Sequence, residues 1–117
     1  MQGKAKPGEE LWTSERCYIA ELLNSADYPE VSIARTRVEP DSITQLHSLS
    51  VAEWYVIESG EGRMLVADEA PRVVRAGDVV SIRKNDPQAI ENTADVDLIF
   101  LCICTPRFSQ KCYTSLE

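Results

Sequence analysis

From residue 31 to residue 105 the sequence is a regular succession of short β-type segments separated by turn residues. About eight such segments follow one another at intervals of roughly 8–12 residues, and β-branched and alternating apolar residues are common in them. No helical pattern of 10–15 residues lies between the segments, as a parallel α/β sheet would require. The spacing therefore predicts an all-β sandwich or barrel.

The chain is long enough for one hydrophobic core and too short for two. For a chain of 117 residues, the scaling of accessible surface with mass gives an accessible surface of about 6,400 Å² for the folded chain and about 19,000 Å² for the unfolded chain. We predict three segments: an N-terminal arm and first strand over residues 1–30, a barrel over 31–105, and a tail over 106–117 that packs on the barrel. Residues 1–11 are polar and predict a flexible or loosely docked arm, and residues 14–23 fit either a helix turn or a strand.

The charge and the apolar runs exclude some classes of partner. The formal net charge is −7, opposite in sign to that of a protein that binds a phosphate backbone, so we expect neither nucleic acid nor an anionic membrane as a partner. The longest apolar run, Leu98 to Cys104, is far below the roughly 20 residues of a membrane helix. The four cysteines contain no C-x-x-C pair. Since no secretory signal is visible, they indicate reduced thiols, rather than a disulfide or metal site, and a cytoplasmic protein.

One histidine and one glutamate on neighbouring predicted strands are the strongest candidates for chemistry. On the strand predicted over residues 43–49, alternation places three side chains on one face: Gln45, His47 and Leu49. On the next strand Glu53 and Tyr55 share a face, and a return between the strands can place Glu53 beside His47. Taken alone, a histidine on a strand is more often a hydrogen-bonded structural residue than a ligand.

The spacing of a few residues matches a known family. Glu53, followed by six residues and Gly60, reproduces the second half of the first cupin signature. Gly77, five residues, a short turn, Gln88, three residues and Asn92 reproduce the second signature. The segment over residues 31–105 therefore resembles the cupin superfamily, and in particular small single-domain cupins of undefined activity. This resemblance implies a double-stranded β-helix, the cupin jelly-roll barrel, usually dimeric and with one site inside.

The departures from the family pattern bear on function more than the match does. Members with a full site carry two histidines separated by one residue, a glutamate, and a histidine in the second motif. Here Leu49 stands at the second position and Gln88 at the last, while Arg83 and Asn85 replace a proline and a glycine. The resemblance then implies a reduced metal site on His47, Glu53 and Gln88 that holds one divalent ion weakly, such as Zn, Fe, Mn or Ni. The alternative is a buried, metal-free hydrogen-bond cluster of the same three residues.

Two functions follow, in different classes. In the first, the chain is an enzyme that acts on a small molecule by isomerase, lyase or dioxygenase type chemistry. Glu53 and His47 would be its catalytic residues, as general base and acid partner if no metal binds. In the second, the barrel is a non-catalytic module that binds or senses a small metabolite. In both, we expect a homodimer and a substrate pocket that also contains four further residues: Gln45, Leu49, Tyr55 and Arg83.

Overall fold

The computed structural model of the chain describes residues 8–117, so most of the arm predicted over residues 1–11 lies outside the described residues. The described part contains β-strands and one short 3-10 helix at Gln110–Cys112. The strands are β1 Glu10–Trp12, β2 Tyr18–Leu23, β3 Ser32–Val38, β4 His47–Leu49, β5 Ala52–Ser59, β6 Glu61–Val66, β7 Arg72–Arg75, β8 Val79–Ile82, β9 Gln88–Asn92, β10 Leu98–Thr105 and β11 Tyr113–Ser115. The all-β prediction is confirmed.

The strands form two sheets with antiparallel pairing. The first sheet has six strands in the order β1-β2-β3-β10-β5-β8, and the second has five in the order β11-β4-β9-β6-β7. The main core lies between the two sheets, where Ile57, Leu98 and Phe100 from the first sheet meet Ile90 and Val74 from the second. Each of these side chains is almost fully buried, so the two inner faces form one core.

The pleat of β5 shows why alternation predicted the inner face correctly. Glu53, Tyr55 and Ile57 are buried, whereas Trp54 and Val56 between them are only partly buried. Since successive side chains of a strand point to opposite faces, the two polar residues Glu53 and Tyr55 are carried into the interior by the same register that buries Ile57.

Two glycines allow the β5–β6 hairpin to lie close to other backbone segments, the loop before β10 at Gly60 and strand β9 at Gly62. Gly60 has φ +88°, and a Cβ there would lie 2.6 Å from the carbonyl oxygen of Asp97. A Cβ on Gly62 would lie 2.8 Å from the carbonyl oxygen of Glu91. Both contacts are too short for a side chain, so the glycine that ends the first motif is required by close backbone approach.

The asparagine of the second motif connects three backbone segments. Its Nδ2 group donates to the carbonyl oxygens of Val38, at 2.9 Å, and Val96, at 2.8 Å. Its Oδ1 accepts from the backbone N–H of Ala94 at 2.8 Å. Asn92 is buried, so these bonds satisfy its own side chain and the buried carbonyl oxygen of Val38.

Both ends of the described chain add strands to the sheets. β1 pairs with β2, so Glu10 and Leu11, which we predicted to be part of an arm, lie at the edge of the six-stranded sheet. β11 pairs with β4 at the edge of the other sheet. Glu117 receives two hydrogen bonds from Arg16, at 3.0 and 2.7 Å, which fasten the end of the chain to the β1–β2 turn. Within residues 8–117 no helix is long and apolar enough to cross a membrane.

Candidate functional site

A cavity of about 340 Å³ lies between the inner face of the six-stranded sheet and the β4–β11 edge of the other sheet. It is within the lower part of the size range of small-molecule sites. Its lining includes the polar side chains of Glu15, Thr36, His47, Glu53, Tyr55 and Cys102. Leu49 also lines the cavity and is buried, so it supplies the apolar wall that the sequence predicts there.

His47 is held in one orientation by two neighbours. Its Nδ1 lies 2.8 Å from the carbonyl oxygen of Gln45, and because a carbonyl only accepts, Nδ1 carries the proton. The imidazole ring stacks on Tyr113 with 4.8 Å between the ring centroids. Burial lowers the pKa of His47, partly offset by the bond to Gln45. The neutral ring at pH 7 therefore presents Nε2 as a hydrogen-bond acceptor.

Glu53 is the most deeply buried of the glutamates that line the cavity. The residue is only 6% exposed. Its Oε2 accepts a bond from the thiol of Cys104 at 3.7 Å, whereas its Oε1 has no hydrogen-bond partner among residues 8–117. Burial raises the pKa of Glu53 to about 7, against an opposing contribution from the amide of Gln88. A carboxyl group that changes charge near neutral pH, and has one free oxygen, is suited to proton transfer.

Gln88 connects the two sheets below the cavity. It is the Cα partner of His47 across the β4–β9 pair, so the structure brings these two predicted residues together. Its Oε1 accepts from the hydroxyl of Tyr55 at 2.6 Å. Its buried Nε2 makes no hydrogen bond of ordinary geometry within residues 8–117, but the amide is close enough to the Glu53 carboxyl group to lower the pKa of that group. Gln88 is not part of the cavity lining, and it contacts the site through Tyr55 and Glu53.

Two of the four residues expected in the pocket lie elsewhere. Gln45 precedes the short strand β4 and uses its side-chain oxygen to accept from the hydroxyl of Tyr113. Arg83 is exposed in the turn that follows β8. Neither lines the cavity. For Gln45 the regular strand is shorter than the predicted strand over residues 43–49, so strand alternation does not apply at this position. Arg83 was expected in the pocket from its place in the family motif, and the structure puts it in the turn.

Glu15 is a cavity residue that the sequence analysis missed. It lies in the turn between β1 and β2, and its Oε1 is 4.0 Å from Nε2 of His47. The turn docks against the chain before β4, because the backbone N–H of Gln45 donates to the carbonyl oxygen of Glu15 at 3.0 Å. Burial raises the pKa of Glu15 to about 7. In the sequence, a glutamate beside Ser14 and Arg16 is typical of a solvated turn, and no pattern marks it as buried.

Three comparisons with known proteins agree with this architecture. A family model described as a cupin domain matches residues 34–104. A protein of Methanocaldococcus jannaschii described as uncharacterized is 34% identical over 109 residues, which cover 90% of this chain and 86% of that protein. A cupin-like protein from Thermotoga maritima superposes with a TM-score of 0.78 at 18% identity, covering 98% of this chain and 89% of the other.

A third similar protein is an enzyme. A structure of Bacillus subtilis oxalate decarboxylase, a protein with Mn(II) centers, superposes with a TM-score of 0.77 at 28% identity. The alignment covers 92% of this chain but 30% of the enzyme, so the chain corresponds to one part of that protein.

The two packed antiparallel sheets define a double-stranded β-helix, as predicted. The chain belongs to the cupin family, as a small single-domain cupin of undefined activity.

Proposed function

We propose that this cupin binds a small molecule in its barrel cavity and moves a proton on it, with Glu53 as the proton-transfer group and His47 beside it. The observation that carries this proposal is the position of Glu53, a buried carboxyl group that lines the cavity and whose pKa is raised by burial to about 7. A carboxyl group of this kind, in a cavity of small-molecule size, can exchange a proton with a bound ligand.

The arrangement supports a simple division of roles. Glu53 in its ionised form takes a proton from the ligand, holds it as a carboxylic acid, and returns it to another atom, as an isomerase or lyase requires. The pKa of about 7 allows both forms to exist at neutral pH. His47 is fixed by Gln45 and Tyr113, so its Nε2 would accept a hydrogen bond from the ligand and orient it.

The residues present fall short of a resident metal site. His47 and Glu53 are suitable donors, because Nδ1 of His47 is anchored and Oε1 of Glu53 is free. The third predicted ligand, Gln88, already uses its oxygen to accept from Tyr55. No group of three or more histidine, cysteine, aspartate or glutamate side chains within residues 8–117 is placed to hold a metal ion.

The weakly held divalent ion predicted on His47, Glu53 and Gln88 stays a prediction, supported by the Mn(II) centers of the related decarboxylase. Elemental analysis of protein purified without chelator or affinity-column metal tests it. About one transition metal per chain that disappears in His47→Ala would support this site. Metal-free protein that still binds a ligand would favour proton transfer by Glu53 alone.

The proposed function is tested by exchange with solvent deuterium. The protein is incubated in D₂O with pooled small polar metabolites, and mass spectrometry looks for deuterium gained at carbon. We expect at least one compound to gain deuterium with the wild-type protein but not with Glu53→Gln. The control is Glu58→Gln, because Glu58 lies on the same strand but is exposed and paired with Arg35. Exchange that survives in Glu53→Gln would refute the proposed role.

The alternative is a module that binds a small metabolite without reaction. The observation in its favour is the reduced set of polar groups, since Leu49 and Gln88 stand where the family pattern has histidines. Binding of a metabolite without any deuterium exchange would support this alternative.

For such a protein, as for the enzyme, we propose a cytoplasmic location, supported by four free cysteines.

We further propose a homodimer that uses the outer face of the six-stranded sheet. Cross-strand pairing aligns Leu101 with Val56, and Ile103 with Ile33 and Trp54, on the side away from the core. Val79 follows beside Val56 and is 55% exposed. This outer patch consists of Ile33, Trp54, Val56, Val79, Leu101 and Ile103. A contiguous apolar patch on the centre of a sheet favours contact with a second copy.

A further inference from the structure

The cavity wall contains hydrogen-bond acceptors that face one another without a donor between them. Nε2 of His47 is an acceptor because the ring proton is on Nδ1. The carboxylate of Glu15 lies opposite, with 4.0 Å between Oε1 and Nε2, which is too long for a hydrogen bond. Glu53 adds a second carboxyl group to the same lining. A bound group with several N–H donors would satisfy all three.

The charge of the lining has one sign. Three glutamates line the cavity, Glu15, Glu21 and Glu53, and no lysine or arginine is among the described lining residues. Of the three, Glu53 is buried, Glu15 is half-buried and Glu21 is exposed. A bound cation stabilises the ionised form of Glu15 and Glu53, which burial disfavours, through charge-assisted hydrogen bonds. A carboxylate or phosphate ligand would face the same glutamates with no basic partner from the described lining residues.

The remaining wall suits the apolar part of such a ligand. Phe108 and Tyr113 from the C-terminal segment line the cavity, as do Leu49 and Phe100 from the two sheets. Aromatic faces attract organic cations and also accept the hydrocarbon that carries the charge. Glu15 and His47 lie on different segments, so a donor group held between them would also hold the β1–β2 turn against β4.

The geometry points to a small organic cation, a protonated amine, as the ligand class of this cavity, held by Glu15 and His47 at one side and by Glu53 at the other. This inference rests on the proposed function, because it requires that the cavity binds a small molecule. It adds Glu15 as a binding residue and excludes dicarboxylates such as oxalate as ligands of this chain.

The test compares matched sets of probes by two-dimensional ¹H–¹⁵N NMR on the full chain, with EDTA present so that metal ions cannot contribute. Each set contains an amine, the corresponding alcohol and the corresponding carboxylate, for example benzylamine, benzyl alcohol and benzoate, or butylamine, 1-butanol and butyrate. We expect amines to shift the amide signals of Glu15, His47 and Glu53. Their affinity should exceed that of the alcohols by about tenfold or more, because hydrogen bonds to charged groups are the stronger ones. Carboxylates should not bind.

Variants separate specific recognition from general attraction to an acidic protein. Glu15→Gln should lower the affinity for amines by about tenfold and leave that for alcohols within about twofold, whereas Glu58→Gln should change neither. If Glu15→Gln does not fold, Glu15→Asp should lower the affinity for amines as well, because the shorter side chain moves the carboxylate away from His47. Amine binding that is insensitive to Glu15, or absent, overturns the inference. Carboxylates or alcohols that bind in the cavity as tightly as amines also overturn the inference. They leave the proposed function standing. The proposed function itself fails if no compound shows deuterium exchange that depends on Glu53.

Discussion

At the scale of single residues, Glu53 differs from the other glutamates that line the cavity by the depth of its burial. Only 6% of its surface is exposed, and its contacts are a thiol and the neighbouring amide of Gln88, neither of which carries a positive charge. The folded protein therefore favours the protonated form, and burial raises the pKa of Glu53 to about 7. A group with such a shift makes stability depend on pH.

The sign of this dependence is opposite to that of an ion-paired glutamate. The folded protein holds the proton of Glu53 up to about pH 7, whereas the unfolded chain loses it near the ordinary value of 4.5. The contribution to stability is therefore fully present below pH 4.5 and is lost as pH rises toward 7. We expect the free energy of unfolding of Glu53→Gln, measured relative to wild type, to rise by roughly 2–3 kcal/mol from pH 4.5 to pH 8. Denaturant unfolding at both pH values measures this difference.

Glu58→Gln on the same strand provides the background for that measurement, because Glu58 is exposed. A difference between Glu53→Gln and wild type that stays constant with pH would show that folding leaves the pKa of Glu53 unchanged.

At the scale of secondary-structure elements, β9 carries the two side chains that connect parts of the barrel. Gln88 at its start accepts from Tyr55 on β5, a bond that joins the two sheets. Asn92 at its end joins the ends of β3 and the loop before β10. Because both side chains are buried, loss of either set of bonds leaves polar groups without water.

Tyr55→Phe tests the bond between the sheets. Removal of the hydroxyl leaves the oxygen of Gln88 without its donor in a buried position, while the ring still stacks on Phe100 at 4.4 Å. We expect a loss of about 1–3 kcal/mol in the free energy of unfolding. Chemical denaturation measures it, and a loss below about 0.5 kcal/mol would mean that Gln88 finds another donor.

Asn92→Leu tests the connection at the other end of β9. The substitution keeps a similar volume but removes the donors to Val38 and Val96 and the acceptor for Ala94. We expect a loss of about 2–4 kcal/mol in the free energy of unfolding, because the buried carbonyl of Val38 and two partly buried backbone groups lose their partners together. Hydrogen exchange should speed up at Ala94. If protection at Ala94 is unchanged, the loop is held by other contacts.

At the scale of the whole molecule, the two sheets bury their inner faces against each other, and the outer patch of the six-stranded sheet stays partly exposed in the single chain. We predict that light scattering gives about twice the chain mass of 13.1 kDa. Trp54→Lys should shift the mass to that of one chain, because it places a charge in the centre of the patch. The control is Trp12→Lys, since Trp12 is 58% exposed but lies on β1, away from the patch. A dimer that Trp12→Lys disrupts and Trp54→Lys does not would place the interface elsewhere.

Sequence patterns predicted the parts of the molecule that repeat with a fixed period. The strands from β3 to β10 follow from alternation and turn residues, and so does the inward direction of Glu53, Tyr55 and Leu49. β1 and β11 were not predicted, because three-residue strands at the edges of sheets are too short to show a period and depend on the strands beside them. The role of β11 as the strand that places Tyr113 on His47 therefore emerges only from the folded chain.

The site was predictable only where its residues lie on regular strands. His47 and Glu53 point into one cavity because each belongs to a strand with a buried face. Glu15 lies on a turn, where no alternation sets the direction of a side chain, and its burial depends on a backbone bond to Gln45 some thirty residues later. The position of such a residue depends on how two distant segments dock, which a local pattern does not contain.

The placement of the two tryptophans has a consequence for spectroscopy. Trp12 stands at the edge of a sheet and Trp54 on its outer side, and neither lines the cavity. The aromatic groups inside are tyrosines and phenylalanines, among them Tyr55, Tyr113 and Phe100. Tryptophan emission should therefore change on self-association but not when a ligand binds in the cavity. Tyrosine signals in the near-ultraviolet should change when a ligand binds. One sample can thus report both events through separate chromophores.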